Sequence, residues 1–195
     1  MKTNNQIEYT ANRVIAQYVK RGGCHKYFQD IMSDKGVKYR EVNSANNEFV
    51  GVFTKGINSQ PYIMVNSNID NVGRKNFTIA HELGHYFLEH HLTQDTFYCN
   101  SSEIAESSIW NDPIEQEANY FATCLLMPAE KVKGAFLGML QRSRKAKIKE
   151  FLHVKNNFTY SIWRGIGDDL MKRYGVSEAA LRYRLERLGV AKFEF

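Results

Sequence analysis

One short motif constrains the fold of this chain more than any other feature, the sequence His-Glu-Leu-Gly-His at residues 81–85. Four residues of an α-helix advance about 400° and ~6 Å, so His81 and His85 project from the same face of a helix. Two imidazoles placed in this way can bind one zinc ion at about 2.0–2.1 Å. Glu82 follows the first histidine, where its carboxylate can take a proton from a metal-bound water. The sequence therefore predicts a helix that carries a metal site, with Glu82 as a general base.

A catalytic zinc ion keeps three protein ligands, so a third ligand must come from elsewhere in the chain. His91 has the spacing found in HExxHxxGxxH sites, but Leu88 stands where those sites have the glycine that ends the helix. His90 and His91 also suit a helix C-terminus, where imidazole interacts favourably with the negative end of the helix dipole. His91 is thus the weaker candidate for the third ligand.

Glu115 is the favoured third ligand, because it lies four residues before Asn119 on one face of a predicted helix. Glu115 can bind the metal while Asn119 supports a ligand histidine from behind. Residues 112–115 also fit a capping box, in which Glu115 would bond to the backbone amide of Asp112. Glu117 lies about 200° round the helix from Glu115 and cannot share its face.

The distribution of apolar residues predicts an α+β fold, with a small antiparallel or mixed sheet packed on a helical core. Short β-rich segments separated by Asn, Ser and Gly predict a meander sheet over residues 37–42, 49–54 and 62–66. A helix is predicted over 75–89, a polar loop over 93–111, and a second helix between Asp112 and Met127-Pro128. A helical C-terminal part follows, interrupted by a basic stretch at 141–160.

The charge of the chain divides it into two parts. Residues 1–128 carry 11 Lys and Arg against 14 Asp and Glu, whereas residues 129–195 carry 15 against 7. We therefore expect a metal-binding core over 1–128 and a basic helical region over 129–195, which can belong to the same domain.

Composition excludes several other classes of protein. A chain that is 43% hydrophobic and 24% charged is typical of a globular protein and not of a disordered one. No apolar run approaches the ~20 residues that cross a bilayer, and residues 1–10 lack the apolar segment of a signal peptide. The three cysteines are too scattered for a disulfide framework or a CxxC metal clip. A cytoplasmic protein without membrane contact is expected.

Residues 168–188 resemble a helix-turn-helix, with Ser177 as the N-cap of the second helix. Such a segment would place Arg182 near phosphates or base edges, but Glu178 and Glu186 would repel DNA. Three interpretations remain open: a helical cap on the metal-binding core, a DNA contact, or a surface for an acidic partner. We favour the cap and expect no specific DNA binding.

Several segments together resemble the ImmA/IrrE metallopeptidases. The resemblance lies in Phe77–His85, in Glu115–Ala122, and in Leu125–Pro128, and it extends to the strand Tyr62–Asn66 and to residues 175–181. It implies a cytoplasmic zinc peptidase with a gluzincin-like core that cleaves or controls helix-turn-helix repressors of mobile elements or stress responses. Residue by residue, it implies one Zn²⁺ held by His81, His85 and Glu115, with Glu82 as the base.

An extended protein substrate would add as another strand to a sheet edge near the metal. We predict that this edge is the strand that contains Tyr62, Ile63, Met64 and Val65. The rival hypotheses are a DNA-binding regulator whose zinc site is not catalytic, and a sensor whose metal site controls partner binding.

Overall fold

The computed structural model describes residues 1–46, 48–100, 112–143 and 150–194. Seven α-helices lie within these ranges. They are α1 (Asn4–Tyr18), α2 (Phe28–Asp34), α3 (Val72–Phe87), α4 (Pro113–Leu126), α5 (Ala129–Arg142), α6 (Asn157–Tyr174) and α7 (Glu178–Arg187). Short 3-10 helices occupy Cys24–Tyr27, Ile57–Ser59 and His90–Leu92. The α+β class is confirmed.

The described strands form two sheets. Four strands order as β1-β3-β2-β4, and two further strands pair in parallel. The strands are β1 (Lys38–Val42), β2 (Phe49–Lys55), β3 (Pro61–Asn66), β4 (Thr96–Asn100), β5 (Leu152–Val154) and β6 (Ala191–Phe193).

The predicted meander is wrong, although its three strands form where the composition placed them. β3 lies between β1 and β2, parallel to the first and antiparallel to the second. β1 and β3 can run parallel because the chain between them returns through β2, which runs in the opposite direction. Strand composition marks where a strand forms but not which neighbour it pairs with, because pairing is a long-range contact.

Three further strands, β4, β5 and β6, were missed. β4 falls inside the predicted polar loop at 93–111, and it pairs antiparallel with β2. Residues 101–111 of that loop lie outside the described part of the chain. β5 falls inside the predicted basic stretch at 141–160, which also contains the first turn of α6. β5 finds its partner only at β6, nearly 40 residues further on.

The helix that carries the motif is packed between the sheet and α4. Gly84 of α3 lies so close to α4 that an added Cβ would be 3.1 Å from the Cα of Ala118. On the other side, the inner face of the four-stranded sheet covers α3. Strand register places one set of residues on that inner face: Gly51, Phe53, Ile63, Val65, Phe97 and Cys99.

Both ends of α4 form as the sequence predicts. The Asp112 side chain accepts a hydrogen bond from the backbone amide of Ile114, with Pro113 in the first turn. Met127 ends the helix just before Pro128. α3 begins slightly earlier than predicted, because Asn71 accepts from the amide of Arg74 and so caps the helix.

The helix-turn-helix-like segment packs on α3. Gly175 adopts a left-handed φ of 65° after α6, and Ser177 caps α7, as predicted. Gly73, in the first turn of α3, faces this turn, since an added Cβ would lie 2.4 Å from the backbone nitrogen of Ser177. The helices of the basic region therefore share one core with the helix that carries the His-Glu-Leu-Gly-His motif.

Within the described ranges, no helix combines the length and apolarity needed to cross a membrane.

Candidate metal centre

Three ligand atoms converge between α3 and α4. The Nε2 atoms of His81 and His85 are 3.1 Å apart. The Glu115 carboxylate reaches both rings, with Oε2 at 3.0 Å from His81 Nε2 and Oε1 at 3.5 Å from His85 Nε2. All three side chains are buried. The structure thus brings together the three residues that the sequence predicted as metal ligands.

This donor set fits a tetrahedral zinc ion. Bonds of about 2.0–2.1 Å in tetrahedral geometry separate neighbouring donor atoms by roughly 3.3–3.4 Å. The three measured separations lie between 3.0 and 3.5 Å. Two imidazoles and one carboxylate also leave a fourth position open, as catalytic zinc sites do.

The electrostatics of the cluster favour a cation at the same point. Burial alone would lower the pKa of His81, but the Glu115 and Glu82 carboxylates outweigh it and raise that pKa. Burial alone would raise the pKa of Glu115, and the neighbouring His81 and His85 rings reverse this and lower it. Burial lowers the pKa of His85 to about 4, so this ring is neutral at pH 7 and has a lone pair to offer.

Asn119 lies behind the first histidine. Its Oδ1 is 2.9 Å from Nδ1 of His81, on the side of the ring away from Glu115. An amide oxygen can only accept, so His81 carries its proton on Nδ1 and presents the Nε2 lone pair to the cluster. The capping-box alternative for Glu115 does not form, because Asp112 caps Ile114 while Glu115 faces the histidines.

Glu82 is fully buried beside the cluster. A Glu82 oxygen, a ring nitrogen of His81 and the Cys99 sulfur lie within 4.8 Å of one another. Gly51 of β2 makes room for this carboxylate, since an added Cβ would be 2.7 Å from Glu82 Oε1 and 2.5 Å from Thr78 Cγ2. The position suits a base that acts on a water at the open side of the site.

The sequence did not reveal two residues behind the second histidine. His90 Nδ1 is 3.1 Å from His85 Nδ1, and His90 Nε2 is 3.2 Å from Glu117 Oε2. As predicted, Glu117 does not share the face of Glu115. It contacts His90, which in turn contacts the predicted ligand His85. No local pattern links residues 90 and 117, so only the packing of the fold shows this contact.

His91, the other candidate for the third ligand, lies away from the cluster. Its ring stacks on Tyr86 at 5.7 Å and is close to Phe53 at 6.0 Å. Among the described residues, neither of the two groups of side chains that could hold a metal ion includes it.

The predicted substrate strand is wrong. β3, which contains Tyr62, Ile63, Met64 and Val65, is central and pairs on both sides, so no backbone edge remains for a peptide. The Ile63 and Val65 side chains are moreover fully buried in the core. In the described part of the sheet, β4 is the edge strand next to the metal centre. Its Phe97 ring stacks on His85 at 4.3 Å between ring centroids.

The arginines of α7 contact other parts of the fold. Arg184 is buried, and its Nε donates to the carbonyl of Met127 at 3.1 Å. Arg182 lies over the Phe193 ring at 4.6 Å, and Arg187 donates to the Tyr183 hydroxyl at 2.8 Å. Within the basic stretch at 141–160, four basic residues lie outside the described part of the chain: Arg144, Lys145, Lys147 and Lys149.

Comparison with known proteins agrees with this metal-bearing α+β fold. The family model Peptidase_M78, described as the IrrE N-terminal-like domain, matches residues 27–186. The chain belongs to this family, so its resemblance to the ImmA/IrrE metallopeptidases is confirmed. A relative, Metallopeptidase ImmA of Bacillus subtilis (strain 168), is 32% identical over 90 residues, which are 46% of this chain and 49% of the relative.

A solved structure titled "Mycobacterium tuberculosis transcriptional regulator" has the same fold, with a TM-score of 0.55 and 17% identity. The match covers 94% of this chain and 48% of that one. The matches thus span about half the length of each of these two proteins.

Proposed function

We propose that this protein is a zinc-dependent endopeptidase, with His81, His85 and Glu115 as the metal ligands and Glu82 as the general base. The convergence of two imidazoles and a carboxylate on one buried point carries the proposal. Bound zinc would supply Lewis acidity, which lowers the pKa of a water towards ~7 and polarises the carbonyl of the substrate.

The residues of the chain itself then move the proton. Glu82 accepts a proton from the attacking water and delivers it to the departing amine nitrogen as the peptide bond breaks. Its burial beside Gly51 keeps the carboxylate out of bulk water, which strengthens its interactions with the reacting groups. Asn119 keeps His81 in the tautomer that binds metal.

The substrate would be a protein segment in extended conformation that pairs with β4. Strand addition at an open edge gives affinity through backbone hydrogen bonds. β4 suits this role because Phe97 contacts His85 and Cys99 lies near Glu82. An extended peptide should therefore be cleaved much better than a dipeptide.

The physiological substrate that we favour is a helix-turn-helix repressor of a mobile element or a stress response. The family resemblance supports this, as does the fold shared with a protein titled as a transcriptional regulator. We place the reaction in the cytoplasm, where three free buried cysteines stay reduced.

A substitution that changes only the end of the Glu82 side chain tests its role as the general base. Glu82→Gln keeps the size of the side chain but cannot take a proton, so hydrolysis should fall by 10²-fold or more while zinc content stays unchanged. Peptide cleavage and metal analysis of the same preparation give both values. Cleavage by Glu82→Gln at the wild-type rate would refute the general-base role.

The rival sensor hypothesis predicts a different result. A protein whose metal site only controls partner binding would cut no candidate repressor under any condition, yet would bind one in a zinc-dependent way. Co-purification of the repressor with and without zinc separates these two outcomes.

A further inference from the structure

Behind the metal centre, three side chains follow one another in a line that ends on a ligand. The Glu117 carboxylate contacts His90 Nε2 at 3.2 Å, and His90 Nδ1 contacts His85 Nδ1 at 3.1 Å. His85 then presents Nε2 to the cluster, 3.5 Å from Glu115 Oε1. All three members of the line are buried.

The hydrogen-bond partners fix where each proton lies. A carboxylate only accepts, so the His90 proton lies on Nε2 and His90 Nδ1 is an acceptor. His85 Nδ1 lies 3.1 Å from this acceptor, so the hydrogen bond between the two rings needs the proton on His85 Nδ1. His85 Nε2 is then left with a lone pair, which is the form that binds a metal.

We propose that Glu117 and His90 are positioning residues that hold His85 in its metal-binding tautomer. This inference rests on the proposed metal site. Without the Glu117 carboxylate, His90 is free to carry its proton on Nδ1 and to donate to His85. The proton of His85 would then move to Nε2, where it blocks the ligand position.

The fold supports this line from both ends. Glu89 adopts a left-handed φ of 63° after α3, which turns the chain back so that His90 lies beside His85. The backbone amide of Lys2 donates to Glu117 Oε1, which leaves Oε2 for His90. These contacts place Glu117 and His90 beside His85.

α4 therefore contributes three side chains to the metal site, spaced two residues apart. Glu115 provides the metal ligand, Asn119 supports His81 directly, and Glu117 supports His85 through His90. The two histidines receive equivalent support at Nδ1, one from an amide and one from a carboxylate through a second imidazole.

Zinc affinity of the protein, measured by competition with a chelator and without any substrate, tests the proposal. Glu117→Leu and His90→Phe keep the shape of the side chains but remove the hydrogen bonds, and each should weaken zinc binding by about 10–100-fold. The double variant should bind zinc no more weakly than the single variant with the larger loss, because the two residues act in series. Glu117→Gln retains one acceptor oxygen for His90 and should lose less zinc affinity than Glu117→Leu.

Glu8→Leu is the matched control. It removes another carboxylate that contacts a buried residue, Arg184 at 3.4 Å, but it has no link to the histidines. It should lower the melting temperature of the metal-free protein and leave zinc affinity unchanged. Should Glu117→Leu fail to fold, His90→Phe and Glu117→Gln carry the same test.

Wild-type zinc affinity in His90→Phe or in Glu117→Leu would overturn the proposal, and so would an equal loss in Glu8→Leu. The failure of the metal site itself is distinct. His81→Ala with wild-type zinc affinity would refute the site, whereas loss of zinc in His81→Ala together with an unaffected His90→Phe refutes only the positioning role.

Discussion

The metal centre and the basic C-terminal helices use charged side chains in opposite ways. At the metal centre, imidazoles and carboxylates leave water and converge on a single buried point between α3 and α4. In α7, Arg182 and Arg184 contact a ring, a carbonyl and a carboxylate of the same fold. The first arrangement creates a site for a cation. In the second, the cationic side chains contact other parts of the fold.

This difference shows that the number of charges in a segment does not define its role. Residues 129–195 carry an excess of positive charge, yet Glu178 accepts from the Trp163 indole at 2.9 Å and Glu186 accepts from the Phe193 amide at 2.9 Å. Glu178 therefore holds α7 to α6, and Glu186 and Arg182 hold α7 to β6. These contacts favour the interpretation of the region as a helical cap.

The largest effect on stability should come from the buried arginine of α7. Arg184→Ala leaves the Met127 carbonyl buried without its donor and removes the pair with Glu8, so unfolding free energy should fall by about 2–3 kcal/mol. Arg182→Ala removes a cation–π contact and should cost about 1 kcal/mol or less. Urea denaturation measures both. Equal losses would mean that the two arginines have similar structural roles.

A smaller effect should separate two glycines. Gly51→Ala places a methyl group against Thr78 and Glu82, so it should destabilise the protein by about 1–3 kcal/mol and reduce peptidase activity. Gly134→Ala is the control, because its Cβ would meet nothing within 4 Å on α5. That change should stabilise the protein by about 0.5–1 kcal/mol. A neutral Gly51→Ala with full activity would contradict the close approach of β2 to Glu82.

The smallest effect should be seen with nucleic acid. Basic charge alone gives weak, sequence-independent binding with Kd on the order of 10⁻⁴–10⁻⁶ M, and its affinity falls steeply as salt increases. Arg182→Ala with Arg187→Ala should leave cleavage of a short peptide unchanged. A mobility-shift or footprinting experiment at physiological salt tests this expectation. A discrete protected site that the double variant loses would identify a DNA-binding regulator instead.

The sequence predicted those parts of the fold that local signals define. The motif placed α3, and Asp112 with Pro128 defined both ends of α4, because caps and proline act within a few residues. The Glu115–Asn119 spacing also placed both side chains on the face of α4 that meets the histidines. Helical periodicity and capping were therefore enough to predict most residues of the candidate site.

The missed features depend on contacts between distant segments. The pairing of β1 with β3 and of β5 with β6 leaves no local trace in the chain. In β4, the alternation of buried Phe97 and Cys99 with exposed Tyr98 is a strand signal that the surrounding polar residues obscured. Glu117 and His90 meet only because α4 packs against the C-terminal end of α3.

Zinc content per chain tests the central claim most directly. Protein purified without chelator should hold about one zinc per chain, and His81→Ala, His85→Ala and Glu115→Ala should each lose most of it. His91→Ala should keep it, because this ring stacks on Tyr86 outside the cluster. Full zinc content in Glu115→Ala, or loss of zinc in His91→Ala, would contradict the ligand set on which the proposed chemistry depends.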